Sequence, residues 1–391
     1  MLVISRFSQL LALLMPVFVL SACGGGSSGD GSEPPTGMLP GYPFSAPSVF
    51  FATGPYHLEL FDLNDDGFLD IINPSGHGDQ WTGFTAVLEV FFGSAENPFE
   101  NSTVLDIEDG SQYASLFDLP GRSKKGLFVA SRAGCSVDYY EISESLELTP
   151  VSRFSTGFCG DRYVLGVDLN NDGLVDAIAN SGSIHIGLND GDFLAHHNLL
   201  GIGAWALQVA DLNGNGILDA VAYDGHQTVA VFLGNGDATF QTAQPYTIVD
   251  DESLCFCSNC GVVAFGNIDA NNTRDFVVAN NCMAYSFLGN GDGTFQEGIR
   301  ALKSTGVILD VAAADLNDNG RLDLVIVEGN YPTPVRIYRG GGDGTFGTPF
   351  GVDVGMPEVL RIYVADVDGD GRLDLISAGG YNNSISVTFG E

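Results

Sequence analysis

A nine-residue acidic phrase recurs along this chain and is the part of the sequence best suited to chemistry. It first occupies Asp62–Asp70, with the sequence DLNDDGFLD. Positions one, three, five and nine carry Asp or Asn, and position six is Gly. Oxygen atoms at alternating positions of a tight loop can converge on one point, and Gly accepts the positive φ that such a loop needs. The phrase therefore predicts a site for a hard cation.

Four further intact copies share this spacing, and about fifty residues separate successive copies once worn ones are counted. Flexible loops of oxygen ligands suit Ca²⁺, which takes about six to eight oxygens, better than Mg²⁺, which demands a strict octahedron. The side chains expected to bind metal are Asp62, Asn64, Asp66 and Asp70; Asp168, Asn170, Asp172 and Asp176; Asp211, Asn213, Asn215 and Asp219; Asp315, Asn317, Asn319 and Asp323; and Asp366, Asp368, Asp370 and Asp374.

The copies are not equivalent. The last one, Asp366–Asp374, has four carboxylates and is expected to bind most tightly. A worn copy has Asn272 where the others have Gly, although Asn tolerates positive φ better than most residues. A degenerate copy starts at Asp118 and has lost its acidic positions. Metal binding by these two units is left open. The ligand positions of the worn copy are Asn267, Asp269, Asn271 and Asp275.

Two other interpretations of the phrase were weighed. An EF-hand begins in the same way, but it needs a bidentate Glu at position twelve and a helix on each side. The flanks here, such as Leu207–Ala210, are short apolar runs typical of buried strands. The sequence therefore excludes an EF-hand, while an Asx-rich turn without metal stays open. Position twelve holds Asn73, Ala179, Ala222, Ile326 and Ser377.

The elements that position these loops repeat with the same period. Gly-rich phrases ending in Phe occur at Leu233–Phe240, Leu288–Phe295 and Arg339–Phe346, each after an apolar run. One unit thus has four strands, which is typical of one β-propeller blade, and the count predicts an all-β ring of seven blades. The segment Ala46–Thr53 is predicted to supply the outer strand of the last blade, whose own chain ends with Ser384–Phe389. A solenoid is the alternative, but it would need capping repeats.

These phrases resemble the FG-GAP family and the similar VCBS repeats, whose prototype is the seven-bladed propeller of integrin α-subunits. The resemblance covers nearly everything from Pro43 to Glu391. It implies about five structural Ca²⁺ sites, with loop positions one, three, five, seven and nine as ligands. It does not define a function, because the family spans adhesion receptors, lectins, lyases and bacterial surface proteins. Position seven would add the backbone carbonyls of Phe68, Leu174, Ile217, Arg321 and Arg372.

Residues 1–22 are predicted to be a signal peptide. Arg6 is the only charge before an apolar run from Leu10 to Leu20, which is too short for a stable transmembrane helix. The sequence Leu-Ser-Ala-Cys that ends at Cys23 resembles a bacterial lipoprotein signal, so Cys23 is the expected lipidation site. An ordinary signal peptide with an accidental Cys is the alternative.

The rest of the chain divides at residue 43. Residues 23–42 are rich in Gly, Ser and Pro and form the expected flexible tether, and residues 43–391 form the propeller. By analogy with bacterial lipoproteins, Gly24 after the Cys favours the outer membrane, facing either the periplasm or the outside.

Six cysteines remain, and an exported chain makes disulfides expected. In a propeller, the loop between strands two and three lies on the same face as the connection to the next blade, so Cys135 is expected to pair with Cys159. Cys282 should pair with one member of a nearby cluster, with Cys260 or its neighbour at 257 favoured. Zinc binding by that cluster is the alternative. The cluster consists of Cys255, Cys257 and Cys260.

The formal net charge is −34, from 49 acidic and 15 basic residues. Little basic surface is left to neutralise phosphates, so nucleic acids and anionic membrane surfaces are not expected partners. The membrane is expected to be contacted through the lipid anchor alone.

On the face opposite the acidic loops, the predicted loops carry aromatic and polar residues that suit protein hot spots or sugar stacking. Trp81, Arg162 and Tyr331 are the best candidates for ligand contact. Several of the others could instead pack inside the propeller. The wider set is Tyr56, His57, His77, Asp79, Tyr163, Trp205, His226 and Tyr381.

The sequence thus predicts a calcium-binding, lipid-anchored propeller of the cell envelope that recognises a protein or a glycan. No catalytic constellation stands out, so no enzyme is predicted. One alternative is a polysaccharide lyase or hydrolase built from His57, His77, Arg162 and His226. Another is a scaffold subunit of an outer-membrane assembly.

Overall fold

The computed structural model describes residues 44–391 except 78–84, 96–97, 108–112, 132–134, 158–163, 199–203, 205, 226, 249–261, 270, 281, 305 and 330–333. Within this part of the chain, 28 strands form seven antiparallel four-stranded sheets, and there is no helix. The protein is therefore an all-β propeller of seven blades, as the repeat count predicts.

Six blades are built from four consecutive strands, and the first four of these blades follow one another from residue 59. The first contains β2 (Glu59–Phe61), β3 (Asp70–His77), β4 (Thr85–Phe91) and β5 (Ser102–Ile107). The second contains β6 (Ala114–Asp118), β7 (Lys125–Ser131), β8 (Ser136–Ile142) and β9 (Leu148–Ser155). The third contains β10 (Val164–Val167), β11 (Asp176–Ala179), β12 (Ser183–Gly187) and β13 (Phe193–Asn198). The fourth contains β14 (Ala206–Ala210), β15 (Asp219–Tyr223), β16 (Thr228–Phe232) and β17 (Gln244–Thr247).

The remaining blades complete the ring. The fifth contains β18 (Val262–Gly266), β19 (Asp275–Asn280), β20 (Met283–Phe287) and β21 (Ile299–Lys303). The sixth contains β22 (Ile308–Ala314), β23 (Asp323–Glu328), β24 (Val335–Tyr338) and β25 (Phe350–Val352). The seventh contains β26 (Arg361–Ala365), β27 (Asp374–Gly379), β28 (Ser384–Thr388) and, as its outer strand, β1 (Ser48–Phe51).

The pairing of β1 with β28 confirms the predicted closure of the ring. Ser48 lies opposite Val387 and Phe51 lies opposite Ser384 in an antiparallel register. Further along, Phe44 forms an isolated bridge with Gly390. The two ends of the propeller are thereby held in one sheet, so the last blade cannot fray without breaking a ladder of backbone hydrogen bonds.

The core lies between the blades, because each sheet packs face to face against its neighbours. The second strands β15 and β23 are buried along their whole length, whereas the outer strand β5 alternates between exposed and half-buried positions. One cluster joins Ile178 of the third blade, Val221 of the fourth and Phe276 of the fifth. Each fully buried side chain of this kind stabilises the fold by about 1.5–3 kcal/mol.

Hydrogen bonds also link the last blade to the segment that enters the first blade, at the seam where the ring closes. The guanidinium Nε of Arg361 donates to the carbonyl of Tyr56 at 3.2 Å, and the amide of Leu58 donates to the hydroxyl of Tyr363 at 2.8 Å. The described part of the chain contains no helix with the length and apolarity needed to cross a membrane.

Candidate functional site

The first and fifth side chains of each intact loop accept backbone amides of the same loop. In the first blade, Asp62 accepts the amides of Asp66 at 3.0 Å and of Gly67 at 2.9 Å, and Asp66 accepts the amide of Phe68 at 2.9 Å. The same three bonds recur in the third, fourth, sixth and seventh blades. In all five loops the Gly at position six has the expected positive φ, between 78° and 92°. Five copies of the phrase therefore adopt one loop conformation.

The ninth residue of each loop is a fully buried Asp that begins the second strand of its blade. In the fourth blade, Asp219 accepts the amide of Leu212 at 3.0 Å and the amide of Gly234, which follows the third strand, at 2.8 Å. The carboxylate therefore joins the acidic loop to the Gly-rich turn at the base of the blade. The same pair of bonds is made by Asp70, Asp176, Asp275 and Asp374.

The sixth blade differs slightly. Asp323 keeps the bond from its Gly, here Gly340 at 2.9 Å, but its other oxygen accepts the side-chain amide of Asn317 at 3.0 Å. Asn317, whose side-chain oxygen is an expected metal ligand, donates its side-chain amide nitrogen in this bond.

Burial places these carboxylates in an environment that disfavours their charge. It raises the pKa of Asp70 and of Asp374 to about 6 in each case, although two backbone hydrogen bonds oppose the shift. The neighbouring carboxylates of Asp66 and Asp62 in the same loop also raise the pKa of Asp70. A positive charge held at the centre of the loop would relieve both effects.

The loop of the seventh blade brings its carboxylates together. One oxygen of each of Asp366, Asp368 and Asp374 lies within 4.8 Å of the others. Oxygens that surround one Ca²⁺ at about 2.3–2.6 Å can lie up to about 5 Å apart, so this set fits such an ion. Asp370 instead pairs with the half-exposed Arg372 at 2.5 Å, so a metal would have to compete with that guanidinium for this ligand.

The worn loop of the fifth blade keeps the position-five bond of the intact loops but lacks the two bonds to position one. Asn271 accepts the amide of Thr273 at 2.7 Å, and Asn272 takes the left-handed conformation with φ 66° in place of Gly. The side-chain oxygen of Asn267 is buried and makes no hydrogen bond to a described residue. The first-position side chain therefore does not organise this loop as Asp62 organises the first one. Metal binding here stays open.

The degenerate loop of the second blade departs further, and its expected start needs correction. Asp118 lies opposite Lys125 in the ladder, as Phe61 lies opposite Asp70 in the first blade. Asp118 thus holds the place before position one, and Lys125 holds the place of the buried Asp. The loop between them is shorter than the others, which is why an alignment on the Asp alone gave the wrong register.

On the opposite face, an exposed tyrosine and a half-buried tyrosine pack together at the seam between the last and first blades. Tyr381 lies between β27 and β28 with 64% of its surface exposed, and its ring packs edge to face on Tyr56 at 5.8 Å. The oxygen of Asn383 accepts the amide of Gly54 at 2.9 Å, which ties the two loops together. A Cβ at Gly380 would lie 2.7 Å from the ring of Tyr56, so Gly is needed for this packing.

Two histidines are buried. His57 was expected among the residues of the opposite face, but it is 1% exposed, and its Nε2 hydrogen-bonds Glu59 at 2.9 Å. His57 and Glu59 are two residues apart, so their side chains can lie on the same face of an extended segment. Sequence reasoning missed their contact because the local sequence does not show whether that face is buried or exposed. His185 is a buried residue of β12, and its ring packs on that of Phe154 at a centroid distance of 4.8 Å.

Some predicted residues cannot be placed. Of the six cysteines beyond residue 23, the structure describes Cys135 and Cys282, and each is disulfide-bonded. The partners are not described, so the two pairings stay predictions. The predicted residues that lie outside the described ranges are Cys23, Asp79, Trp81, Cys159, Arg162, Tyr163, Trp205, His226, Cys255, Cys257, Cys260 and Tyr331.

Comparison with known proteins identifies the repeats. Residues 267–326 and 315–377 match the FG-GAP-like repeat. A search of curated proteins gave no significant match. The chain superposes on BBS1N, from its complex with ARL6DN, with a TM-score of 0.55 and 13% identity over 90% of this chain and 97% of that one.

A second similar structure is a lectin of Agrocybe aegerita that recognises non-reducing terminal N-acetylglucosamine. Its TM-score is 0.51, with 21% identity over 78% of this chain and 84% of the lectin. At these identities the likeness concerns the fold.

Proposed function

We propose that this propeller of FG-GAP-like repeats is a calcium-stabilised recognition module of the cell envelope that binds a glycan. The observation that carries the proposal is the exposed Tyr381, which packs on the half-buried Tyr56 on the face away from the acidic loops. Tyr381 presents most of its ring to solvent, and Tyr56 holds it from behind at 5.8 Å. An aromatic face with polar neighbours suits a sugar, which has apolar C–H faces and hydroxyl edges.

The platform is held rigidly, which favours binding. The bond from Gly54 to Asn383 and the bond from Asn382 to the carbonyl of Glu358 at 3.2 Å fix the loop that carries Tyr381. A side chain that is already ordered loses little conformational entropy when a ligand arrives. The fold is shared with a lectin specific for terminal N-acetylglucosamine, so terminal amino sugars are the first ligands to test.

Calcium has a structural role in this proposal. The five intact loops, and most of all the carboxylates of Asp366, Asp368 and Asp374, would hold the ions. A bound Ca²⁺ supplies positive charge at the loop base, where the buried carboxylate of position nine otherwise faces the half-buried carboxylates of the same loop. At a free concentration of about 100 times the dissociation constant, one site would add roughly 2.7 kcal/mol of stability.

The proposal includes export and a lipid anchor at Cys23, from the signal-like residues that precede it. Mass spectrometry of the mature N-terminus would reveal a diacylglyceryl cysteine, and an unmodified N-terminus would exclude the anchor. We propose binding rather than turnover because His57 is buried against Glu59 and His185 is also buried, which makes both poor candidates for solvent-facing acid–base chemistry.

A glycan array tests the proposal. The wild-type protein, Tyr381→Ala and Val104→Ala are applied with Ca²⁺ and with chelator. Val104 is a matched control because it is an apolar side chain 58% exposed on another blade. We expect the wild type and Val104→Ala to bind one defined class of glycan. Tyr381→Ala should lose this binding. Equal binding by all three proteins would refute the assignment of the site, and no binding to any glycan by the wild type would refute the glycan.

A further inference from the structure

The second blade carries a lysine where every other blade carries a buried carboxylate. Lys125 pairs with Asp118 in the ladder, as Asp70 pairs with Phe61 and Asp219 pairs with Ala210. Six residues (119–124) separate the pair in the second blade, whereas eight (62–69) separate it in the first. The loop has thus lost two residues together with its acidic ligands, and it has gained a cation at its base.

The ammonium of Lys125 is enclosed and bound on three sides. Its Nζ lies 2.5 Å from Asp65 of the first blade and 2.8 Å from Asp118 of its own blade. It also lies 5.3 Å from the ring centroid of Phe61. The lysine side chain is 10% exposed, so water screens these contacts less than at an open surface. Burial alone would lower the pKa of Lys125, but the hydrogen bonds to Asp118 and Asp65 outweigh it and raise that pKa above its ordinary value.

The contact with Asp65 joins this lysine to the acidic loop of the preceding blade. Asp65 is position four of the first loop, between the ligand positions Asn64 and Asp66, and its φ is 57°. Its side chain points outward and is 58% exposed, so it is not one of the ligand side chains. Fixing its carboxylate therefore holds the middle of the loop without occupying a ligand.

The other blade with a worn loop also carries a basic residue close to the preceding loop, although at position eight and beside the buried Asp275. Arg274 in the fifth blade interacts electrostatically with Asp211, which is position one of the loop in the preceding fourth blade. Burial lowers the pKa of Arg274, and the charge of Asp211 opposes that shift. Both units that depart from the acidic phrase thus carry a basic residue whose charge acts on the loop before them, and in the second blade this residue forms an ion pair.

We propose that Lys125 is the permanent cation of the second blade. Its ammonium replaces a metal ion there and, through Asp65, holds the acidic loop of the first blade in place whether or not calcium is bound. Without this charge, Asp65 and Asp118 would face each other across the seam with no cation between them. The part of the inference that concerns calcium rests on the proposed function, whereas the lysine contact does not.

Hydrogen exchange measured by mass spectrometry on the full-length protein tests the proposal. Lys125→Met removes the ammonium but keeps an unbranched apolar stem over Phe61. Lys125→Arg keeps the positive charge, and Asp65→Asn removes the negative charge that pairs with Lys125 while tolerating the left-handed backbone. Asp318→Asn is the matched control, since Asp318 is position four of the sixth loop, has φ 53° and makes no ion pair with a described residue. Each protein is compared in chelator and in Ca²⁺.

In chelator, Lys125→Met and Asp65→Asn should both lose protection in peptides covering residues 62–68, while peptides covering 315–323 stay unchanged. Lys125→Arg should retain the protection, and Asp318→Asn should leave residues 62–68 as in the wild type. Wild-type protection of residues 62–68 in Lys125→Met would overturn the proposal, and so would a loss spread equally over all seven blades. A wild type that binds no Ca²⁺ would sink the calcium proposal alone, because the comparison in chelator still decides the role of Lys125.

Discussion

The buried Asp at position nine offers the most quantitative test, and Asp219 is the clearest case. Its carboxylate is fully buried and accepts the amides of Leu212 at 3.0 Å and Gly234 at 2.8 Å. Asp219→Asn keeps the shape but turns one acceptor into a donor, which leaves one buried amide without a partner. An unsatisfied buried amide costs about 1–3 kcal/mol. Because burial raises the pKa of Asp219, removing its charge relieves some desolvation and favours the lower end of that range.

The free energy of unfolding is measured by urea denaturation at neutral pH with chelator present, so that no metal contributes. Asp219→Asn should lose about 1–3 kcal/mol, and Asp219→Ala should lose more because both amides lose their acceptor. The exposed Asp318→Asn serves as the control and should stay within about 0.5 kcal/mol of the wild type. A wild-type midpoint and slope for Asp219→Asn would refute the role assigned to the carboxylate, and so would an Ala variant more stable than the Asn variant.

Three further outcomes are expected. Burial raises the pKa of Asp310 to about 7, so between about pH 4 and 7 the folded state holds a proton that the unfolded state releases, and stability should fall as the pH rises through that window. The urea midpoint of Asp310→Asn should fall less over the same window than that of the wild type. An equal fall for the two proteins would contradict this. A Cβ at Gly166 would lie 2.3 Å from the ring of Phe117, so Gly166→Ala should cost about 1–3 kcal/mol in the same assay, and a neutral substitution would show that the blades part easily. Non-reducing peptide mapping should link Cys135 to Cys159, and a different linkage would refute the predicted pairing.

Most of the fold could be predicted from the period at which the sequence repeats. The runs of β-branched and apolar residues on each side of every acidic phrase predict strands of the blades. One extra strand before the first phrase predicts the pairing with β28 that closes the ring. These features are local or periodic, so a single sequence reveals them. The positive φ of Gly67 and its four equivalents also follows from the loop chemistry alone.

Other parts of the site depend on contacts between distant segments, which no local pattern records. Asp310 accepts the amide of Ile362, in the next blade, at 2.8 Å. The hydroxyl of Tyr363 accepts the amide of Leu58 at the seam between the last and first blades. The lysine at position nine of the second blade was missed because the loop before it is two residues shorter, which hides the register. The signal that could have revealed it is Lys125 itself, a charge at the start of an apolar run where other units place Asp.

Counting calcium ions would test the proposed role of the acidic loops most directly. The protein is stripped with chelator and titrated with Ca²⁺ in a calorimeter, and its melting temperature is followed in parallel. We expect one ion for each of the five intact loops, a rise in melting temperature as they fill, and loss of one tight site in Asp366→Asn. No heat of binding and a melting temperature that Ca²⁺ leaves unchanged would contradict the structural role of calcium in this propeller.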